Sequence, residues 1–189
     1  IWLLDPRPDL AKIVDCVERS FELSEASNTP VMLELRIRAC HLQGSFKTKD
    51  NVAPDISMRQ VLDEPAPHEY EKLAHPPVHI GHEFKKTSHR LAAARKYIAE
   101  AKLNERLGPR SGDVGLIVQG GLYNALMRAL GELGQTGPEG DSDLPILVLN
   151  AVYPLVPEEI TGFCEGKKAV LVLEEGQPEF IENDIGTIL

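Results

Sequence analysis

Three short apolar runs, 114–118, 144–149 and 169–173, stand in the last third of this 189-residue chain, separated by spacers of helix length. A strand that is apolar along its whole length is buried on both faces, and such spacers return the chain to a parallel neighbour. The pattern confines the segment to an α/β class, a parallel sheet covered by helices. The first run ends at Gly120-Gly121, which turn the chain into a helix from Leu122 to Leu133. Leu122, Ala125, Leu126, Ala129 and Leu130 share one face of that helix. Residues 134–143 form a glycine-rich loop, Pro157 suits the first turn of a helix ending at Cys164, and 179–189 form a terminal helix.

The amino-terminal part reads as a partial βαβ unit. Ile1–Leu4 is strand-like, and Asp9 is placed to cap a helix whose apolar positions are Leu10, Ile13, Val14, Val17 and Phe21. Ser27-Asn28-Thr29-Pro30 stops the helix, and Val31–Ile37 alternates as a strand. Crossovers of this kind join parallel strands with right-handed connections. Residues 41–81 hold five prolines and little periodicity, so they read as a linker with one short helix at 57–62. A long helix is expected over 83–104, with Leu91, Ala94, Tyr97, Ile98 and Ala101 on one face. The first residue is Ile, inside a strand, so the chain reads as a piece of something longer.

Composition narrows the functional classes. With 29 acidic and 20 basic residues the formal charge is -9, which disfavours nucleic acid and anionic membrane as partners. No apolar run approaches the roughly 18 residues of a membrane-spanning helix. The three cysteines, Cys16, Cys40 and Cys164, are scattered, which implies neither a disulfide framework nor a zinc knuckle and suits a cytoplasmic protein.

Candidate chemistry lies at strand ends. Arg38 and His41 follow a strand, where parallel sheets present functional groups; Arg38 suits a phosphate or carboxylate, and His41 a proton shuttle. A polar loop or domain contact accounts for them equally well. Cys40 shows no local sign of activation beyond its neighbour His41. Gly120-Gly121 resembles a phosphate-binding turn in its strand-to-helix setting, but lacks a full GxGxxG or Walker pattern. Small residues that let helix and strand pack closely are the plainer reading. Glu174-Glu175 sit at a strand exit, with a solvated or helix-contacting role expected. His75, His79, His82 and His89 are close in sequence, but Pro76-Pro77 break the first pair and no cysteine is near.

The stretch Thr29–Gly44, with its Arg38-Ala39-Cys40-His41-Leu42-Gln43-Gly44 core, resembles the end of the pyrimidine-binding domain of indolepyruvate ferredoxin oxidoreductases. The helix ending Ala99-Glu100-Ala101-Lys102-Leu103-Asn104 is similar to the helix that follows there. Gly115–Asn124, Val152–Glu159 and Val170–Glu175 with Gln177–Glu182 resemble the family's transketolase C-terminal-like domain. Gln119 stands where a Thr or Ser is commoner. The resemblance divides the chain into 1–44, the end of a pyrimidine-binding-like domain; 45–112, a linker and long helix; and 113–189, a transketolase C-terminal-like domain. It implies part of a thiamine-diphosphate enzyme that oxidatively decarboxylates an aryl 2-oxoacid to an acyl-CoA and passes electrons to ferredoxin. Thiamine diphosphate, Mg and 4Fe-4S clusters then belong to the parent enzyme, with none expected in this piece. The implied partners are the parent enzyme's other domains or subunits, ferredoxin and coenzyme A. The piece alone is expected to be inactive. The alternatives are a non-catalytic α/β subunit-interaction domain and a small Rossmann-like nucleotide-binding domain.

Overall fold

A computed structural model describes the chain except residues 54, 56, 64–68, 71, 72 and 74, and the side chains of 38, 58, 60 and 61. The βαβ unit forms. β1 (Trp2–Leu4) and β2 (Val31–Leu33) are parallel, with Trp2 opposite Val31. Between them α1 (Leu10–Ser27) starts at Asp9, whose carboxylate accepts from the Lys12 N–H at 2.9 Å. It ends where Asn28 takes the left-handed conformation that breaks helices, φ 47°.

The buried face of α1 differs from the expected one. Cys16, Leu23 and Ser27 point inward, whereas Val14, Val17 and Phe21 are exposed. The Trp2 indole N–H donates to Ser27 Oγ at 2.7 Å, and Tyr97 hydrogen-bonds Glu22, which fixes the helix rotation. β2 is also shorter than the alternation predicts. β1 ends at Leu4, so beyond Glu34, whose N–H still donates to the Leu4 carbonyl, the chain has no strand to pair with. It turns into the short helix α2 (Ile37–Cys40).

The expected short helix appears as α3 (Met58–Asp63). The long helix starts earlier and ends earlier than expected: α4 (Val78–Lys85), a π-helical turn (Lys86–Arg90) and α5 (Leu91–Glu100) run on continuously. Ala94 and Ile98 are buried, with Leu91, Tyr97 and Ala101 packed beside them, as the spacing predicts. Residues expected at the carboxyl end of that helix instead lead into β3 (Glu105–Leu107).

β3 joins β4 (Val114–Gln119), β5 (Ile146–Leu149) and β7 (Ala169–Leu173) in the order β3-β5-β4-β7. The three strands read from apolar runs are mutually parallel, and β3 is antiparallel to β5. Helices α7 (Pro157–Cys164) and α8 (Phe180–Ile188) cover one face, where Ile117, Leu147 and Leu149 meet Ile160, Phe163, Ile181 and Ile185. Helix α6 (Tyr123–Glu132) covers the other, where Leu116, Val118, Ile146 and Val148 meet Leu126 and Leu130. Ala125 and Ala129, expected on the same face, are exposed. β7 is an edge strand and not fully buried: Leu171 is exposed.

β6 (Ala151–Tyr153) leaves this sheet and pairs antiparallel with β1, making a second sheet in the order β2-β1-β6. Asn150 is the one residue between β5 and β6, and it is fully buried. Its side-chain oxygen accepts from the Arg7 N–H at 2.7 Å, and its amide donates to the Leu103 carbonyl at 2.8 Å and to Glu105 Oε2 at 2.9 Å. Its backbone carbonyl accepts from the Asp5 N–H. One amide thus ties the β1–α1 turn, the β5–β6 crossing and the α5–β3 connection. Asn150→Ala removes three hydrogen bonds, one of them fully buried, and is expected to cost about 3 kcal/mol, read from urea denaturation. Gly120 gives a second expectation: a Cβ there would overlap the Asp5 carbonyl oxygen and lie 3.0 Å from the Arg7 nitrogen. Gly120→Ala should lose about 2 kcal/mol or more, whereas Gly131→Ala, with space around it inside α6, should gain up to about 1 kcal/mol.

Candidate functional site

The carboxyl ends of β1, β2, β4 and β7 converge, the position where open parallel sheets bind ligands. β1 delivers Asp5, β2 is followed by Glu34 and Arg36, β4 ends in Gln119 and Gly120-Gly121, and β7 leads to Glu174 and Glu175. A cleft of about 880 Å³ opens here, lined by Glu34, Arg36, Gln119, Gly121, Asn124 and Glu175 among others. Beyond Gln119 and Glu175 lies a smaller cavity of about 380 Å³ with Leu3, Val152, Tyr153, Phe180 and Ile181 in its walls.

Arg36 is the hub. Its guanidinium pairs with Asp5 Oδ2 at 3.2 Å, with Glu34 at 4.0 Å, and with Glu175. Asp5 is buried, and burial pushes its carboxyl above the ordinary value against the opposing pull of Arg36. Asp5 Oδ1 and Arg36 Nε are buried without a hydrogen-bond partner among the described residues. The Gly121 N–H faces Asp5 and favours its charged form, at a geometry short of a full hydrogen bond to Oδ1. The Asp5 carboxyl therefore lies beside this helix start, paired chiefly with Arg36.

That arrangement decides between the two readings of Gly120-Gly121 in favour of close packing. A Cβ on Gly121 would run into the Arg36 side chain and sit 2.6 Å from Asp5 Oδ1. Behind the cleft, Arg7 pairs with Glu105 at 3.2 Å and lies 5.2 Å from the Tyr123 ring centre. Burial pulls Glu105 upward, but hydrogen bonds from Arg7 and Asn150 outweigh it and hold this carboxyl below its usual value.

Of the residues singled out from sequence, Gly121 and Glu175 line the cleft. Ile37 and Ala39 of α2 line it, His41 is exposed just past α2, and the Arg38 side chain lies outside the described residues. Cys40 is exposed, and burial pushes the Cys16 thiol up to about 11, so Cys16 is inert. Glu174 contacts a helix as expected, accepting the Ile181 and Glu182 N–H groups at the start of α8. Arg36, Asp5 and Asn150 were missed. Arg36 falls with Glu34 on the polar positions of the Val31–Ile37 alternation, where a charge gives no signal.

Among the described residues no group of three or more His, Cys, Asp or Glu is disposed to hold a metal ion, and the three cysteines lie on or beside separate helices.

The raised Asp5 value has a signed consequence. The folded state holds this proton more tightly than the unfolded chain, so ionisation costs stability as pH rises above the unfolded value near 4. Asp5→Asn removes that cost. Its stability relative to the native sequence should rise as pH increases from about 3 to 7, in paired urea titrations.

No protein-family model matches the chain. The indolepyruvate oxidoreductase subunit IorA of Methanothermobacter thermautotrophicus is 27% identical over 177 residues, covering 93% of this chain and 26% of that protein. The subunit of the same name from Methanothermobacter marburgensis is 28% identical over 180 residues, covering 92% of this chain and 26% of that protein. The chain thus spans about a quarter of the length of these curated relatives. A 2-oxoglutarate:ferredoxin oxidoreductase from Magnetococcus marinus, solved with 2-oxoglutarate, coenzyme A and succinyl-CoA bound, superimposes with a TM-score of 0.60 at 18% identity. That match covers 98% of this chain and 37% of the solved one. Over more than nine-tenths of its length the chain is similar to indolepyruvate oxidoreductase subunit IorA, and it has the fold of the matching part of a 2-oxoacid:ferredoxin oxidoreductase.

Proposed function

We propose that this chain works as part of a 2-oxoacid:ferredoxin oxidoreductase that decarboxylates an aryl 2-oxoacid, transfers the acyl group to coenzyme A and passes the electrons to ferredoxin. The observation that carries this reading is the length of the similarity to IorA, which runs through both sheets and the cleft between them. In the proposed division, 1–44 completes a pyrimidine-binding-like domain, 45–112 is a linker and long helix, and 113–189 is the transketolase C-terminal-like domain. Thiamine diphosphate, Mg and 4Fe-4S clusters are then held by other parts of the assembly, where the thiamine cofactor supplies the electron sink. The role left to this chain is positioning: Asp5, Arg36 and Glu175 hold the strand ends, and Arg38 and His41 face a domain interface or the cleft.

A cytoplasmic location and partnership with the remaining domains or subunits complete the proposal. No helix among the described residues is long and apolar enough to cross a membrane. The exposed stripe of Val14, Val17 and Phe21 favours a second reading, in which the chain serves mainly to dock other subunits without touching substrate.

The test is an affinity tag on the chromosomal copy of this chain, followed by assay of the recovered assembly for indolepyruvate- and coenzyme A-dependent reduction of ferredoxin. Turnover with aryl 2-oxoacids is the expected result, and none with any 2-oxoacid rejects the proposal. In the active assembly Arg38→Ala should lower turnover by at least about tenfold, or about 1.4 kcal/mol of transition-state stabilisation. Unchanged kinetics at unchanged expression would leave Arg38 a surface residue and favour the docking reading. The isolated chain should show no turnover above a heat-killed control.

A further inference from the structure

The smaller cavity beyond Gln119 and Glu175, of about 380 Å³, has two unlike halves. Leu3 of β1, Val152 of β6 and Ile181 of α8 give it apolar walls, and the rings of Tyr153 and Phe180 stand beside them. Tyr153 is held against Trp2, with ring centres 5.8 Å apart, and Phe180 is exposed. The polar half is acidic. Glu174, Glu175 and Asp184 line the cavity, and no lysine or arginine does.

The charge on these carboxylates is only partly answered. Glu174 accepts the Ile181 and Glu182 N–H groups, so the positive end of α8 is already satisfied and does not face the cavity as an anion site. Glu175 pairs with Arg36, but that one guanidinium also faces Asp5 and Glu34. Asp184 is exposed and has no partner among the described residues. Around it, residues 174–189 carry five acidic side chains and no lysine or arginine.

Gln119 supplies an independent observation. It is 8% exposed and forms part of the wall. Its side-chain oxygen accepts from the Glu175 N–H at 3.2 Å, which fixes the orientation of the amide. The NH2 group donates to no described residue, and unlike Asp5 Oδ1 it is not sealed off from the cavities that Gln119 lines. A buried amide donor left open in this way calls for an acceptor oxygen.

We propose that this cavity docks a basic segment of a partner polypeptide, entered by a lysine or arginine side chain. The methylene stem of such a side chain suits Leu3, Val152 and Ile181, and its cationic head suits Asp184 and the aromatic ring faces. A backbone carbonyl of the same segment supplies the acceptor that the Gln119 amide lacks. That need separates a peptide from a free polyamine, which carries the charge but no acceptor oxygen. The docking does not rest on the oxidoreductase reading.

Calorimetry on the whole 189-residue chain, in about 0.15 M salt to screen diffuse attraction, tests this. The probes are acetylated, amidated heptapeptides with a central lysine, glutamine or glutamate flanked by leucines, and spermidine. Saturable binding of the lysine peptide is expected, at least about tenfold weaker for the glutamine peptide and absent for the glutamate peptide. Asp184→Asn should weaken the lysine peptide by at least about tenfold, whereas Glu25→Gln, which removes the same charge from the exposed side of α1, should not. Gln119→Leu should weaken it as well. Should that variant fail to fold, the side-chain NH2 signal of Gln119 in the native chain replaces it, and it should shift with the lysine peptide and not with spermidine. No lysine-peptide binding at millimolar concentration, equal effects of Asp184→Asn and Glu25→Gln, or spermidine binding as tightly as the peptide overturns the proposal.

Discussion

The buried side-chain amide of Asn150 is the contact on which the rest of the molecule depends. It occupies the single residue between β5 and β6, where the chain passes from the four-stranded sheet to the three-stranded one. An amide offers an acceptor and two donors, and here all are used, on the β1–α1 turn and the α5–β3 connection. Asn104 reinforces the crossing, accepting from the Ala151 N–H at 2.9 Å and donating to Glu159 at 2.6 Å. Neither sheet can shift against the other without stranding buried polar atoms, which is why the cleft between their strand ends keeps its shape.

At that cleft the chain satisfies its own electrostatics. The helix start after β4 draws negative charge, and Asp5 provides it from within. Arg36 then balances Asp5 and reaches Glu175 past the end of the other sheet. Closing a turn on an internal carboxylate makes it a structural joint.

Much of this fold was legible in the sequence because local signals and tertiary packing agree there. The runs that became β4, β5 and β7 are parallel strands, Asp9 caps α1, Asn28 ends it, and Pro157 begins α7. What escaped the sequence was settled by distant partners. The apolar stripe Val14, Val17, Phe21 looked like the core face of α1, but the Trp2–Ser27 hydrogen bond turns a smaller-residue face inward. β3 has only three residues, two of them charged, and exists because β5 offers an open edge and Glu105 an ion-pair partner in Arg7. Arg38 and His41 were the residues singled out past β2, and nothing in the structure tests their role. The side chain that organises this strand end is Arg36, whose carboxylate partners Asp5 and Glu175 lie 31 and 139 positions away and are invisible to any local pattern.

Native-state hydrogen exchange most directly tests whether the two sheets form one cooperative structure through Asn150. The Asp5 amide, bonded to the Asn150 carbonyl, reports on the first sheet, and Ile117 and Val118 in β4 report on the second. The account predicts that all three open only with global unfolding, at free energies agreeing within about 1 kcal/mol. Exchange of Asp5 at a free energy several kcal/mol below that of β4 would show the sheets opening separately and contradict it.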